Sequence, residues 1–217
     1  MLARVQISPS PHFFMKQKSC TIYLTRHGET EWNEKKLVQG QTDIPLNYKG
    51  EIQAQELGKK FGNINFKAVF SSDLIRAKRT AEIMILEKKL AVVTTKALRE
   101  RLFGRFEGKH LDEMRKILGE LLTIPRELQT RLSLNDTEND EDLVARLNPF
   151  LREAAIAYPG ENILMVSHGG LMRAFLSHLG YIIPEYSEKP MVNAGYIIIE
   201  SDGVDFKIIE EKLFKNK

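Results

Sequence analysis

Two short apolar runs, each followed within a few residues by a histidine and a glycine, constrain the fold of this chain more than any other feature. Residues 20–24 precede Thr25-Arg26-His27-Gly28, and residues 162–166 precede Ser167-His168-Gly169-Gly170. Runs of this length and composition predict buried β-strands. In open α/β sheets, ligands bind at the carboxyl ends of the strands. We therefore predict that the two histidines lie at one rim of a sheet.

The rest of the chain alternates between strand patterns and helix patterns. Further strands are predicted at residues 67–70 and 90–94, with a final hairpin at residues 195–200 and 206–209. Helices are predicted over residues 47–61, from a cap at Ser72 or Asp73 to Leu86, over 111–122, from the acidic run 135–142 to about 158 with a bend at Pro149, and over 171–179. This alternation indicates an α/β fold with a mainly parallel sheet covered on both faces. Residues 32–45 form a long polar loop, and loops of that length are usually functional.

Composition excludes several classes of function. No apolar run approaches the length needed to cross a membrane. The net charge of +3 is small and the basic residues are scattered, so nucleic acid is not an expected partner. The chain has one cysteine, Cys20, so no intrachain disulfide can form, in keeping with a reducing, cytoplasmic location.

The N-terminal segment differs from the rest of the chain. Residues 1–19 contain no acidic residue, two prolines and an apolar run too short and broken for a secretory signal. They weakly resemble a transit peptide, but we predict a disordered extension, and Met15 is an alternative start. Residues 20–217 are predicted to be a single domain, as a monomer or a homodimer, because the length suits one α/β domain.

Five polar side chains are candidates for one site at the predicted rim: Arg26, His27, Arg76, Glu100 and His168. An arginine guanidinium offers a planar fork suited to phosphate, and glycines with helix N-terminal N–H groups attract anions. Taken singly, each has a simpler interpretation as an exposed arginine, a hydrogen-bonded core histidine or one acid among many. Together they predict a phosphate pocket with a nucleophile and a proton donor.

The order of these motifs resembles that of the histidine phosphatase superfamily, also called the phosphoglycerate mutase-like family. The resemblance covers nearly all of residues 20–200 and implies a three-layer α/β/α sandwich with a mainly parallel central sheet. The motifs that carry it are Arg26-His27-Gly28-Glu29-Thr30 with Trp32-Asn33, Gln39-Gly40, Asp43-Ile44-Pro45-Leu46, Gly50, Ser71-Ser72-Asp73-Leu74 with Arg76-Ala77 and Thr80-Ala81, Leu98-Arg99-Glu100-Arg101, Phe106-Glu107-Gly108, and Ser167-His168-Gly169-Gly170.

The resemblance also implies roles for the site residues. His27 would be the nucleophile that becomes phosphohistidine, a covalent route that divides one hard displacement into two easier ones. Glu100 would protonate the leaving oxygen and then activate water. The implied phosphate-binding residues are Arg26, Asn33, Gln39, Gly40, Arg76, His168 and Gly169. No metal and no cofactor is implied, because arginines and histidines supply the positive charge.

Other charged residues keep two interpretations. Arg99 and Arg101 flank the candidate acid and either contact a second anionic group of the substrate or face solvent. His12, His110 and His178 match no catalytic motif, and we predict structural or surface roles for them.

The pattern favours hydrolysis over transfer. The familiar mutases carry a longer insertion with paired arginines after the acid, whereas residues 109–135 contain no adjacent arginine pair. The chain looks most similar to the fructose-2,6-bisphosphatase-like branch (TIGAR type) and to broad-specificity phosphatases. One departure is the stretch Asp136-Thr137-Glu138-Asn139, where many relatives have Gly-Glu-Ser/Thr, which puts the loop geometry there in question.

The sequence therefore predicts a phosphatase that hydrolyses phosphomonoesters of small metabolites, sugar phosphates above all, through a phosphohistidine. A cofactor-dependent phosphoglycerate mutase and a non-catalytic module that binds phosphate or phosphoprotein remain as alternatives. Substrate specificity is expected to lie in residues 101–140, the least patterned part of the core chain.

Overall fold

The computed structural model describes residues 18–122, 136–182 and 191–214, so nearly all of the predicted N-terminal extension lies outside the described residues. In chain order the elements are β1 (Cys20–Arg26), α1 (Glu31–Glu34), α2 (Tyr48–Lys60), β2 (Phe66–Ser72), α3 (Ile75–Met84), β3 (Val92–Thr95), two 3₁₀ turns (Lys96–Leu98 and Gly104–Phe106), α4 (Leu111–Leu122), α5 (Asp140–Ala157), β4 (Asn162–Ser167), α6 (Gly169–His178), β5 (Tyr196–Ser201) and β6 (Phe206–Lys212).

Within the described residues, six strands form one sheet in the order β3-β2-β4-β1-β5-β6. The first four of these are parallel, and β5 and β6 form the antiparallel hairpin that the sequence predicted. The register pairs Arg26 with Ser167 at the ends of β1 and β4. Because these strands are parallel neighbours, His27 and His168 lie side by side at the same rim of the sheet, each directly after its strand.

Helices cover both faces of the sheet, which confirms the three-layer α/β/α prediction. One core contains Ile22 and Leu24 of β1 together with Leu147 of α5 and Phe175 of α6. The alternate residue Tyr23 points into a second core, which packs against α2 and α3. Both faces are apolar because both are buried, so the parallel strands appear in the sequence as continuous apolar runs.

The prediction that Ser72 or Asp73 caps α3 is wrong. Leu74 occupies the N-cap position, and no side chain at that position caps the helix. The first-turn N–H of Ile75 instead donates to the carboxylate of Asp43, 2.6 Å away, in the segment between α1 and α2. This cap is tertiary, so the local sequence could not reveal it.

The acidic run begins α5 as predicted. Asn139 is the N-cap residue and forms a capping box with Asp142, and three acidic residues occupy the first turn, where they favour the helix dipole. Pro149 lies within this helix.

The polar loop after α1 is held by long-range contacts. Among the described residues, its β-pairing is limited to isolated β-bridges, one of which joins Leu37 to His110. Val38 packs with Phe106 and Met114 in a small third core. This core fixes the loop against α4 and so builds one wall beside the sheet rim. No described helix has the length and hydropathy that a bilayer crossing needs.

Candidate active site

His27 lies directly after β1 and is 2% exposed. Its Nδ1 is 2.6 Å from the carbonyl oxygen of Gly28. Because a carbonyl oxygen only accepts hydrogen bonds, Nδ1 carries the proton of the neutral ring and Nε2 carries the free lone pair. Nε2 is therefore the nitrogen that is able to attack an electrophile.

The backbone around His27 is held from three directions. The N–H of Gly28 donates to the hydroxyl of Thr80 at 3.0 Å. The side-chain amide of Asn193 lies 3.4 Å and 3.3 Å from the carbonyl oxygens of His27 and Gly28. A side chain at Gly28 would meet the carbonyl oxygen of Gly50 at 2.3 Å. The main chain of His27 is thus fixed by residues from distant parts of the sequence.

His168 faces His27 across the ends of two strands. The ring centroids are 5.1 Å apart, and the His168 side chain is fully buried. Among the described residues, neither of its ring nitrogens has a hydrogen-bond partner. Buried polar groups are normally satisfied, so a ligand oxygen between the histidines would complete the arrangement.

Both histidines are neutral near pH 7. Burial, followed by the charges of Arg76 and Arg26, lowers the pKa of His27 well below its usual value of 6.5. Burial, Arg76 and the neighbouring His27 lower the pKa of His168 in the same direction. A neutral imidazole keeps its lone pair, which is the requirement for a nucleophile.

Two arginines surround the histidine pair. Arg76 is fully buried, and its terminal nitrogens donate to the carbonyl oxygens of Thr42 at 2.8 Å and Gly40 at 2.6 Å. Arg26 donates to the carbonyl oxygen of Met191. The Nε of each guanidinium is buried without a partner among the described residues. Burial lowers the pKa of Arg76 to about 10, so its guanidinium remains charged at neutral pH and attracts an anion.

The candidate acid Glu100 lies at the N-terminus of α6. One carboxylate oxygen accepts from the N–H of Gly170 at 3.0 Å, and the other accepts from those of Leu171 at 3.2 Å and Arg101 at 2.7 Å. These backbone N–H groups fix the position of the carboxyl group at the start of the helix. The same helix begins beside His168, so one element positions the acid against the histidine pair.

The backbone behind Glu100 is held by a partly buried network. Arg146 donates to the carbonyl oxygens of Ala97 at 2.8 Å and Glu100 at 3.1 Å, and it forms an ion pair with Glu138 at 3.0 Å. Glu138 also accepts from the N–H of Leu102 at 2.8 Å. In the altered motif, therefore, the acidic residue contacts the segment that carries Glu100.

The arginines that flank Glu100 are both in ion pairs. Arg99 forms a bidentate pair with Asp73, with both distances 2.7 Å. Arg101 contacts Asp140 and donates to the carbonyl oxygen of Glu138 at 2.9 Å. Partners so distant in sequence leave no local signal, and neither of the two interpretations open at the sequence level included them.

The remaining histidines lie away from the histidine pair. His110 is about half exposed and lies near Asp112, and His178 is exposed and contacts Asn148. His12 is outside the described residues. No group of three or more metal-ligating side chains occurs in the parts of the chain that the structure describes.

A cavity of about 1080 Å³ opens above these groups. Its lining includes seven of the predicted site residues: Arg26, His27, Asn33, Gln39, Gly40, Glu100 and Gly169. Arg76 and His168 are buried below it. Apolar side chains form much of its wall: Trp32, Leu37, Val38, Phe103, Leu111, Met114, Met191 and Val192.

Sequence reasoning missed several residues that line or support this site. Asn193 and Met191 lie just before β5, where the sequence has no motif, and only the pairing of β5 with β1 brings them to His27. Thr80 belonged to a motif, but only its contact with Gly28 in the structure gives it a role.

The structure thus defines an α/β sandwich with two histidines and two arginines at the carboxyl ends of its parallel strands.

The chain belongs to the histidine phosphatase superfamily (branch 1), whose profile matches residues 22–211. It is 36% identical over 173 residues to the uncharacterized phosphatase PhoE of Bacillus subtilis, covering 80% of this chain and 84% of that protein. It is 33% identical over 177 residues to the probable phosphoglycerate mutase GpmB of Escherichia coli, covering 77% of this chain and 78% of that protein.

Solved structures agree with this assignment. The phosphoglycerate mutase from Bacillus anthracis superposes with a TM-score of 0.76 at 28% identity, covering 90% of this chain and 93% of that one. YhfR of Bacillus stearothermophilus superposes with a TM-score of 0.75 at 29% identity, covering 90% and 98%. The relatives carry the names of phosphatases and mutases, so the superfamily indicates an enzyme of phosphoryl chemistry.

Proposed function

We propose that this protein is a phosphatase that hydrolyses phosphomonoesters of small metabolites through a phosphohistidine on His27. The observation that supports this most is the pairing of two buried neutral histidines. His27 has its Nε2 lone pair directed away from its own backbone, and His168 has two unpartnered nitrogens beside it. A phosphoryl group between them would receive both a nucleophile and a hydrogen-bond partner.

The reaction would proceed in two displacements. In the first, Nε2 of His27 forms a bond to phosphorus while the ester P–O bond breaks, and Glu100, which has taken up the proton of the phosphomonoester monoanion, gives that proton to the leaving oxygen. In the second, water attacks phosphorus, the P–N bond breaks, and Glu100 takes a proton from that water. Arg26, Arg76 and the N–H of Gly169 would stabilise the charge on the phosphoryl oxygens.

A phosphoglycerate mutase is the second candidate function. It is favoured by the 33% identity to a probable phosphoglycerate mutase over most of both chains. A mutase returns the phosphoryl group to a bound intermediate, whereas a phosphatase passes it to water. The absence of an adjacent arginine pair in residues 109–135 supports the phosphatase.

Phosphate release from a substrate panel tests the proposal. The panel includes sugar phosphates, fructose bisphosphates, phosphoglycerates, nucleotide monophosphates and aryl phosphates, since the cavity is large and partly apolar. We expect phosphate release from at least one class. Interconversion of phosphoglycerates without phosphate release would instead establish the mutase. No turnover and no phosphohistidine with any substrate would leave a binding module.

Two variants test the assigned roles. His27→Ala should abolish phosphohistidine formation and lower turnover by several orders of magnitude, because the nucleophile is gone. Glu100→Gln should slow esters of poor leaving groups by about 10²–10⁴-fold and activated aryl esters much less. An equal loss on both classes of ester would contradict the acid role. We also propose a cytoplasmic location and a small phosphorylated substrate as the partner of this site.

A further inference from the structure

Glu107 has no role in the reaction described above, yet its carboxylate is one of the most heavily used acceptors near the site. One oxygen accepts from the N–H groups of Gln41 at 3.0 Å and Phe103 at 3.1 Å. The other accepts from the N–H of Thr42 at 2.9 Å and from its hydroxyl at 2.5 Å. Four donors therefore converge on a single side chain, three of them from residues 41 and 42.

The segment that Glu107 holds is the one that holds Arg76. The two terminal nitrogens of Arg76 donate to the carbonyl oxygens of Gly40 and Thr42, on either side of the N–H groups bound by Glu107. This segment contains no helix or strand, so its backbone has no ladder of hydrogen bonds to fix it. The hydrogen bonds from the N–H groups of Gln41 and Thr42 to Glu107 hold this backbone in place instead.

Gly40 shows how closely the carboxylate approaches. A Cβ at position 40 would be 2.0 Å from a carboxylate oxygen of Glu107, and the φ of +53° is in the region that favours glycine. The loop is thus built around the Glu107 side chain. The two carbonyl oxygens that it orients leave the Nε of Arg76 as the buried donor without a partner among the described residues.

We propose that Glu107 is a positioning residue that acts through residues 40–42 to aim Arg76 at the phosphoryl group. This inference rests on the proposed function in one respect only, that an anion of phosphate geometry binds beside His27. Small misplacements of a charged donor weaken binding and catalysis strongly. All four groups that contact the carboxylate are hydrogen-bond donors. An amide at position 107 must therefore place its NH₂ group, which is also a donor, against at least one of these four groups.

A double-mutant cycle tests whether Glu107 acts through Arg76. Orthovanadate is the probe, and its binding is followed by the fluorescence of Trp32, the one tryptophan of the chain, which lines the cavity. We expect Glu107→Gln to weaken vanadate binding by about 10–100-fold. In a background of Arg76→Met, the same change should cost less than about 3-fold, because the group that Glu107 positions is absent.

A general structural role would give a different result. If Glu107→Gln weakened binding by the same factor in both backgrounds, or did not weaken it at all, the proposal would be wrong. Glu113→Gln is the matched control, since Glu113 is a half-exposed carboxylate of α4 that pairs with Lys109 at the surface. It should bind vanadate as the unmodified protein does.

Thr42→Val provides a second, milder cycle. It removes only the 2.5 Å hydroxyl bond to Glu107 and leaves the Thr42 carbonyl in place. We expect a loss of about 3–10-fold that also disappears with Arg76→Met. If circular dichroism shows that Glu107→Gln is unfolded, the Thr42→Val cycle tests the proposal instead: equal losses with and without Arg76→Met would make the proposal wrong.

Failure of the proposed function is recognised separately. Vanadate binding without phosphate release from any ester refutes hydrolysis but leaves both cycles valid. An additive cycle in an active phosphatase refutes the role of Glu107 alone. A protein that does not bind vanadate at all refutes both proposals.

Discussion

Acidification should destabilise this protein through His27 and His168, the two histidines that are buried as neutral rings. In the unfolded chain a histidine takes up a proton near pH ~6.5. In the folded protein both pKa values are lowered, mainly by burial, so the rings stay neutral further into the acid range. The unfolded state then binds more protons than the folded state, and stability is lost as the pH falls below the pKa of the unfolded groups.

The size of the effect follows from the linkage relation. While a ring stays neutral in the folded state, each pH unit below ~6.5 costs about 1.4 kcal/mol per histidine. Between about pH 7.5 and about pH 5.5, the two together therefore cost about 3 kcal/mol. A typical domain has a total stability of roughly 5–15 kcal/mol, so the loss is easily measured.

Urea denaturation of the unmodified protein and of His168→Gln separates the contribution of one histidine to the pH dependence of stability from that of the carboxylates. Since one ionisable ring is removed, the stability difference between the unmodified protein and this variant should shift by about 1.4 kcal/mol between about pH 7.5 and about pH 5.5. Phosphate-free buffer is needed, because a bound anion would stabilise the folded state. His178→Gln is the control, since that imidazole is exposed. If the difference for His168→Gln stayed constant with pH, or the control shifted equally, the argument from burial would be wrong.

Two further changes test the support of the site. Gly28→Ala places a Cβ 2.3 Å from a backbone carbonyl oxygen and should lower stability by roughly 1–3 kcal/mol in thermal unfolding, whereas Gly119→Ala, whose Cβ meets no atom of the described residues within 4 Å, should not. Arg146→Met removes one donor from the carboxylate of Glu138 and from two carbonyl oxygens, so we expect a loss of stability of about 1–3 kcal/mol and, through displacement of the proposed acid, a fall in kcat. Unchanged kcat in a folded Arg146→Met protein would show that the network does not position Glu100.

Strand ends and candidate site residues could be predicted from the sequence where an apolar run and the polar residues that follow it lie in one short stretch. An apolar run followed by His27-Gly28, and a second one followed by His168-Gly169, were enough to locate the ends of two neighbouring strands. The cap of α3 was predicted wrongly, because the acceptor for its first-turn N–H is Asp43 from a distant loop. Asn193 was missed for the same reason, since its contacts with the backbone of residues 27 and 28 span more than 160 positions.

By itself, the sequence determined the α/β class, the parallel core and the residue types of the candidate site. Apolar runs and helical periodicity depend on burial, and burial is recorded in residue choice. Tertiary structure alone decided how the atoms of the candidate site are arranged. It fixed the tautomer of His27 through Gly28, left His168 without a partner among the described residues, and placed Glu107 beneath the loop that holds Arg76. Hydrogen bonds between distant segments depend on angles and distances of a few tenths of an ångström, and no local pattern encodes them.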